Sequence, residues 1–181
     1  MKKLIRREFG DPVLRQKTRE LKREEIGSDK IQNLIKNMRH TLIDLKLGVA
    51  LAAPQVGENL ALVVVAVRPM PHRPKIKQLD MVMINPLITE KLGEQKETWE
   101  GCISSGKDGK SGLFARVPRY TKVRVKYLDE NGKSHHKVFS ELQAQIIQHE
   151  TDHLNGILFV DRVKDTKTYM THKEYIKRMR G

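Results

Sequence analysis

The chain has 181 residues, and its 35 lysines and arginines against 22 aspartates and glutamates give a formal net charge of +13 at neutral pH. That length suffices for one domain over 1–181 with a real core, and the charge favours approach to polyanions without dictating a fold. A single cysteine, Cys102, excludes an internal disulfide, and the first eight residues, Met1 to Glu8, lack the apolar core of a signal peptide. The longest apolar run, Ala61 to Val67, is too short to span a bilayer, so a soluble cytoplasmic protein is expected.

Residues 1–27 are polar and charged, with a turn at Gly10-Asp11-Pro12 and a small anchor in Val13 and Leu14; they predict an irregular arm lying on the domain. From a cap at Ser28 or Asp29, Ile31, Leu34, Ile35, Met38, Leu42 and Leu45 keep the 3.6-residue period of a helix that ends at Gly48. Gly48 to Gly57 is small and apolar around one amide, Gln55, which suits either a tight connection or a binding wall with a hydrogen-bonding tip.

Leu60–Val67 and Met81–Asn85 read as strands, separated by a proline-rich loop over 68–74. Val123, Val125 and Tyr127 alternate with Lys122, Arg124 and Lys126, and Asp129-Glu130-Asn131-Gly132 turns the chain towards His136–Phe139. Without regular βαβ alternation, the class is α+β. Ser140 and Gln143 have the spacing of a capping box, opening a helix that Gly156 stops. Ile157 to Val160 then predicts a short strand or turn. Residues 164–181 carry six basic side chains and predict a terminal helix with a solvated face.

The helix after Ser140 carries the chemistry. His149 and His153 stand four residues apart and so share a face, within reach of one metal ion, while Glu150 is placed to take a proton from a water that the metal activates. Leu142 and Ile146 lie on the same face, which sets the site against the core. A hydrolytic site commonly has three protein ligands. Phe159 occupies the position where an extended motif would need a third histidine, which excludes that class. Glu174 is a weak carboxylate candidate, and Cys102, beside Gly101, is the favoured ligand, as a thiolate suited to zinc or ferrous iron. A phosphate-loop reading of Gly101 to Ser111 is set aside because no helix pattern follows.

Three segments, Gly48 to Gln55, Glu100 to Ser104 and Gln148 to Gly156, together resemble the three ordered motifs of the peptide deformylase family. The resemblance implies antiparallel sheets packed around a central metal-binding helix, and removal of the N-formyl group from nascent polypeptides that begin with formylmethionine. It also implies that Cys102, His149 and His153 hold the metal, with Fe2+ in the cell and Zn2+ or Ni2+ able to occupy the same site. Glu150 would be the proton-transferring residue, with Gln55 and the Ile103 backbone N–H as oxyanion donors. Gly48, Val49, Ala50, Glu100 and Gly101 would contact substrate. This sequence departs from the family pattern at Ala50, where glycine is usual, in the longer 105–112 segment, and at Phe114, where the family often has arginine. Those departures leave room for a metalloamidase acting on another N-acyl substrate, or for a catalytically weak ribosome- or RNA-binding relative. The partners expected are formylated nascent peptides and, through the basic tail, the ribosome, with no membrane.

Overall fold

The computed structural model describes residues 1–45, 49–68, 78–106 and 112–180. Gly48, the proline-rich loop beyond Arg68 and the stretch 107–111 lie outside the described residues. Among the described residues six strands form one antiparallel sheet: β1 Ala50–Ala52, β2 Leu62–Val67, β3 Leu79–Gly101, β4 Leu113–Leu128 and β5 Ser134–Ser140 pair in sequence order, and β6 Met170–Thr171 pairs with the start of β4. The helices are α1 Arg23–Ile26, α2 Asp29–Leu45, α3 Glu141–Leu154 and α4 His172–Arg180.

β2 explains how the layers stack. Its six residues are all buried, because the even positions Leu62, Val64 and Ala66 pack with α2 through Ile31, Ile35, Met38 and Leu42, while Val63, Val65 and Val67 pack with Ala144, Ile146 and Ile147 of α3. A strand covered on both faces reads as a continuous apolar run and not as an alternation. Burying each large side chain here stabilises the fold by roughly 1.5–3 kcal/mol before entropy is counted.

The predicted helix from Asp29 is present, with Ser28 Oγ accepting from the Ile31 N–H at 3.4 Å. The hairpin has the expected register, Lys126 opposite His136 and Val123 opposite Phe139. The expected arm contains a 3-10 turn at Pro12–Arg15 that buries Leu14 completely, as well as α1. Two readings change. The capping box at Ser140 does not form, because Ser140 is still paired with Lys122 in the sheet and Glu141 enters the helix at a left-handed φ of 51°. The strand at Met81–Asn85 is the first part of a much longer β3 that runs to Gly101, and β4 begins at Leu113. Three register shifts in β3, together with Pro86 and Gly93, break its two-residue period and hid it from the sequence pattern. Of the strand or turn expected over Ile157 to Val160, the turn is present, as a 3-10 turn over residues 159–162.

Candidate metal centre

Three elements converge on Cys102. Strand β3 ends at Gly101, so Glu100 and Cys102 leave the sheet with side chains of the same parity. Helix α3 supplies His149, Glu150 and His153, and a 3-10 turn over Ala53–Val56 supplies Gln55. The ligand atoms of Cys102, His149 and His153 all lie within 4.8 Å of one another, and Cys102 Sγ is 3.3 Å from His153 Nε2. The His149 ring stacks on Phe159, with centroids 6.2 Å apart. The position that an extended motif would fill with histidine thus carries a ring that braces one.

His149 Nδ1–H donates to Glu100 Oε2 at 2.9 Å, which leaves Nε2 with its lone pair for a metal. Glu100 is held in turn by Arg119, from Nε at 2.8 Å and Nη2 at 3.0 Å, and Arg119 Nη1 reaches Asp152 Oδ2 at 2.6 Å. Arg162 closes the chain with a bond to Asp152 Oδ1 at 2.8 Å. Glu100 is only 4 % exposed and Arg119 only 5 %. Expected from the resemblance as a substrate contact, Glu100 has its carboxylate engaged behind His149. Arg119, Asp152 and Arg162 were not singled out from the sequence, yet one signal was there. In β4 the buried residues Ala115, Val117, Val123, Val125 and Tyr127 are all odd-numbered, and Arg119 is a cation on the same parity.

The electrostatics of the site pull in two directions. Burial alone would raise the Cys102 thiol, but the charge of His153 and hydrogen bonds with His149 and His153 pull it down to about 5, so it stands ready as a thiolate. Burial likewise opposes ionisation of Glu100, and the hydrogen bonds of His149 and Arg119 outweigh it, holding the carboxyl at about 2. Burial would lower His149, but its bonds to Cys102 and Glu100 raise it well above the ordinary value, so a metal at Nε2 would displace a proton there. The Glu150 carboxyl is pushed up by burial, and its Oε2 has no hydrogen-bond partner among the described residues. A thiolate, two imidazoles and an orphaned carboxylate oxygen fit one divalent ion with an open position beside Glu150.

Gln55 is 1 % exposed, and its amide orientation is set by Oε1 accepting from the Ala52 N–H at 2.9 Å. Nε2 then points to Ser104 Oγ at 3.2 Å and to Cys102 Sγ at 3.5 Å. Ile103 follows Cys102 in a 3-10 turn over Ile103–Ser105. Ala50 is 5 % exposed and packs in the core cluster beside α3, so its added methyl is taken up by the core. Val49 is partly buried against the same cluster. Gly101 is pressed by Phe114, for a Cβ there would fall 2.5 Å from the ring, and Phe114 stacks on Tyr175 of α4 at 4.2 Å.

The chain is similar to known proteins over most of its length. A family model described as polypeptide deformylase matches residues 4–169. A peptide deformylase of Desulfotalea psychrophila is 40 % identical over 92 % of this chain and 90 % of its own, and peptide deformylase 1 of Nitrosomonas europaea is 36 % identical over 89 % and 88 %. Among solved structures, a class I type b peptide deformylase from Acinetobacter baumannii with Met-Ala-Ser bound superposes with a TM-score of 0.81 at 35 % identity, covering 90 % of this chain and 99 % of that one. One from Synechococcus elongatus in complex with actinonin gives 0.78 at 36 % identity, covering 97 % and 85 %. Together with the fold and the Cys102, His149 and His153 cluster, these similarities show that the chain belongs to the polypeptide deformylase family.

Proposed function

We propose that Cys102, His149 and His153 hold one divalent metal ion, Fe2+ in the cell, and that Glu150 moves the protons of the reaction. The enzyme removes the N-formyl group from nascent polypeptides. The observation that carries the assignment of Glu150 is its buried carboxylate, raised by desolvation, with an unpartnered oxygen beside the three ligands. When bound, the metal supplies Lewis acidity, which activates water and polarises the formyl oxygen; Zn2+ and Ni2+ suit the same donors.

The chain's own groups do the rest. Glu150 takes a proton from the attacking water and returns it to the leaving amine, a task suited to a carboxyl whose pKa lies nearer to neutrality. Gln55 Nε2 and the Ile103 N–H donate to the formyl oxygen as negative charge develops on it. Val49, the Ala50 backbone and Gly101 border the peptide. The exposed Lys173, Lys177 and Arg178 on α4, with Lys164 and Lys167, favour contact with ribosomal RNA. A thiolate ligand suits a reducing compartment, and the reading places the enzyme in the cytoplasm; among the described residues no helix is long and apolar enough to cross a membrane.

The test is turnover of formyl-Met-Ala-Ser by anaerobically purified protein of known metal content, alongside Glu150→Ala. A fall of about 10²–10⁴ in kcat with the metal retained supports the assignment. Undiminished turnover by the variant removes Glu150 from the mechanism, and acceptance of acetyl peptides at equal rates redirects the substrate.

A further inference from the structure

The N-terminal arm contacts both segments to which oxyanion donors are assigned. Arg7 N–H donates to the Gln55 carbonyl at 2.8 Å, and Phe9 N–H donates to the Ser104 carbonyl at 2.9 Å. Between these anchors the Arg7 side chain lies over Gly57, the left-handed residue that ends the Gln55 turn, where a Cβ would fall 2.8 Å from Arg7 Nε. Arg6 reaches further. Its Nη1 donates to the Ile103 carbonyl and also approaches the Gly106 carbonyl at 3.4 Å, so one guanidinium spans the turn that carries the Ile103 N–H. The Phe9 ring meets Phe159 at 6.2 Å, and Phe159 stacks on His149.

We propose that Arg6 is a positioning residue: through the Ile103 and Gly106 carbonyls it fixes the 102–106 turn relative to Gln55, and so holds the two donors at the separation that the reacting formyl oxygen requires. The proposal rests on the assignment of Gln55 and the Ile103 N–H as those donors. Preorganised donors accelerate a reaction because they need not reorient as charge develops. A turn released from one side loses that advantage while its neighbouring ligand stays in place. Ser105 already bonds back to the Cys102 carbonyl, from its N–H at 3.0 Å and its hydroxyl at 2.7 Å, so the ligand end of the turn has its own support. Loss of Arg6 therefore falls on the geometry of the donors and not on the hold of the metal. Both contacts come from Nη1, so a lysine, whose ammonium also carries several donors on a shorter and more flexible side chain, can replace them in part.

The experiment compares the parent, Arg6→Ala, Arg6→Lys and Gln55→Ala as metal-loaded enzymes on formyl-Met-Ala-Ser. It reads kcat and KM separately, and metal release to a chelator alongside them. Expected for Arg6→Ala are a kcat lower by about tenfold, KM within about twofold and unchanged metal release, with Arg6→Lys recovering part of the loss. An unchanged kcat in Arg6→Ala, or a loss of kcat that follows loss of metal, overturns the proposal. Should Arg6→Ala fail to fold, Arg6→Met keeps much of the packing without a donor and carries the same criteria. Undiminished kcat in Gln55→Ala overturns the donor assignment and this proposal with it. A loss in Gln55→Ala with none in Arg6→Ala overturns this proposal alone.

Discussion

Arg119 Nη1 lies 2.6 Å from Asp152 Oδ2 while the other side of the same guanidinium grips Glu100, so one buried cation joins the end of β3 to α3 directly behind His149. Arg119→Met leaves two buried carboxylates with fewer partners. The expected cost is about 3 kcal/mol, from urea unfolding of the metal-free protein, together with a 10–100-fold loss of metal affinity as His149 loses its orientation. Arg119→Lys should recover little, since an ammonium cannot bridge both carboxylates. A cost below about 1 kcal/mol with metal affinity intact would show that the network is decoration.

The same network predicts a dependence on acidity. The Glu100 carboxyl sits at about 2 in the folded chain against an ordinary value of 4.5. Its folded value is depressed, so the stabilisation is fully present above about pH 4.5 and is lost as pH falls towards 2; its size is about 3 kcal/mol. Urea midpoints of the metal-free parent should drop between pH 5 and 2.5 more steeply than those of Glu100→Gln, which starts lower. Parallel curves for the two proteins would contradict the assignment.

Gly156 ends the metal helix at φ 71°, and a Cβ there would lie 2.5 Å from the Arg15 carbonyl oxygen. Gly156→Ala should therefore lose about 1–2 kcal/mol from the left-handed backbone alone, and more from displacing the arm. Gly27→Ala is the internal control, because a Cβ at Gly27 meets nothing within 4 Å and its φ is −78°. Equal thermal midpoints for the two variants would refute the close-approach argument.

The exposed cations of α4 give a prediction about the ribosome. Reversing Lys173, Lys177 and Arg178 to glutamate should weaken ribosome co-sedimentation and flatten its dependence on salt, while kcat on a short formyl peptide stays as in the parent. Unchanged, salt-insensitive association would assign the contact to another face.

The sequence carried the candidate ligands because their chemistry demands residue types at short spacing: His149, Glu150 and His153 lie on one helix, and Cys102 is unique. The strands around Val63 and Val125 were legible from local pattern as well, the first as a continuous apolar run and the second as an alternation. What escaped was set by pairing between distant segments. Arg119 meets Glu100 and Asp152 across 19 and 33 positions, and Arg6 meets Ile103 across 97. Nor could the polar half of β3 announce itself, since its exposed residues have no apolar face to repeat.

The shifts in β3 have a consequence for the parity of the chain. Partner numbers sum to 212 at Ile84 with Leu128, and to 213, 214 and 215 beyond the successive shifts, so β3 carries three residues more than β4 before Gly101. Directly opposed residues share a face, so Glu100, paired with the buried Ala115, lies on the α3 side, and the three extra residues are taken up at shifts that each reset the parity of β3. Removing one residue at the Leu92–Gln95 shift should therefore close that shift and leave Glu100 opposite Ala115 with metal retention kept; a chain so shortened that loses its metal would show that the shift itself aims the carboxylate. The support of His149 is thus set by the partner across the sheet, and the length of the stretch that leads to it is free to vary.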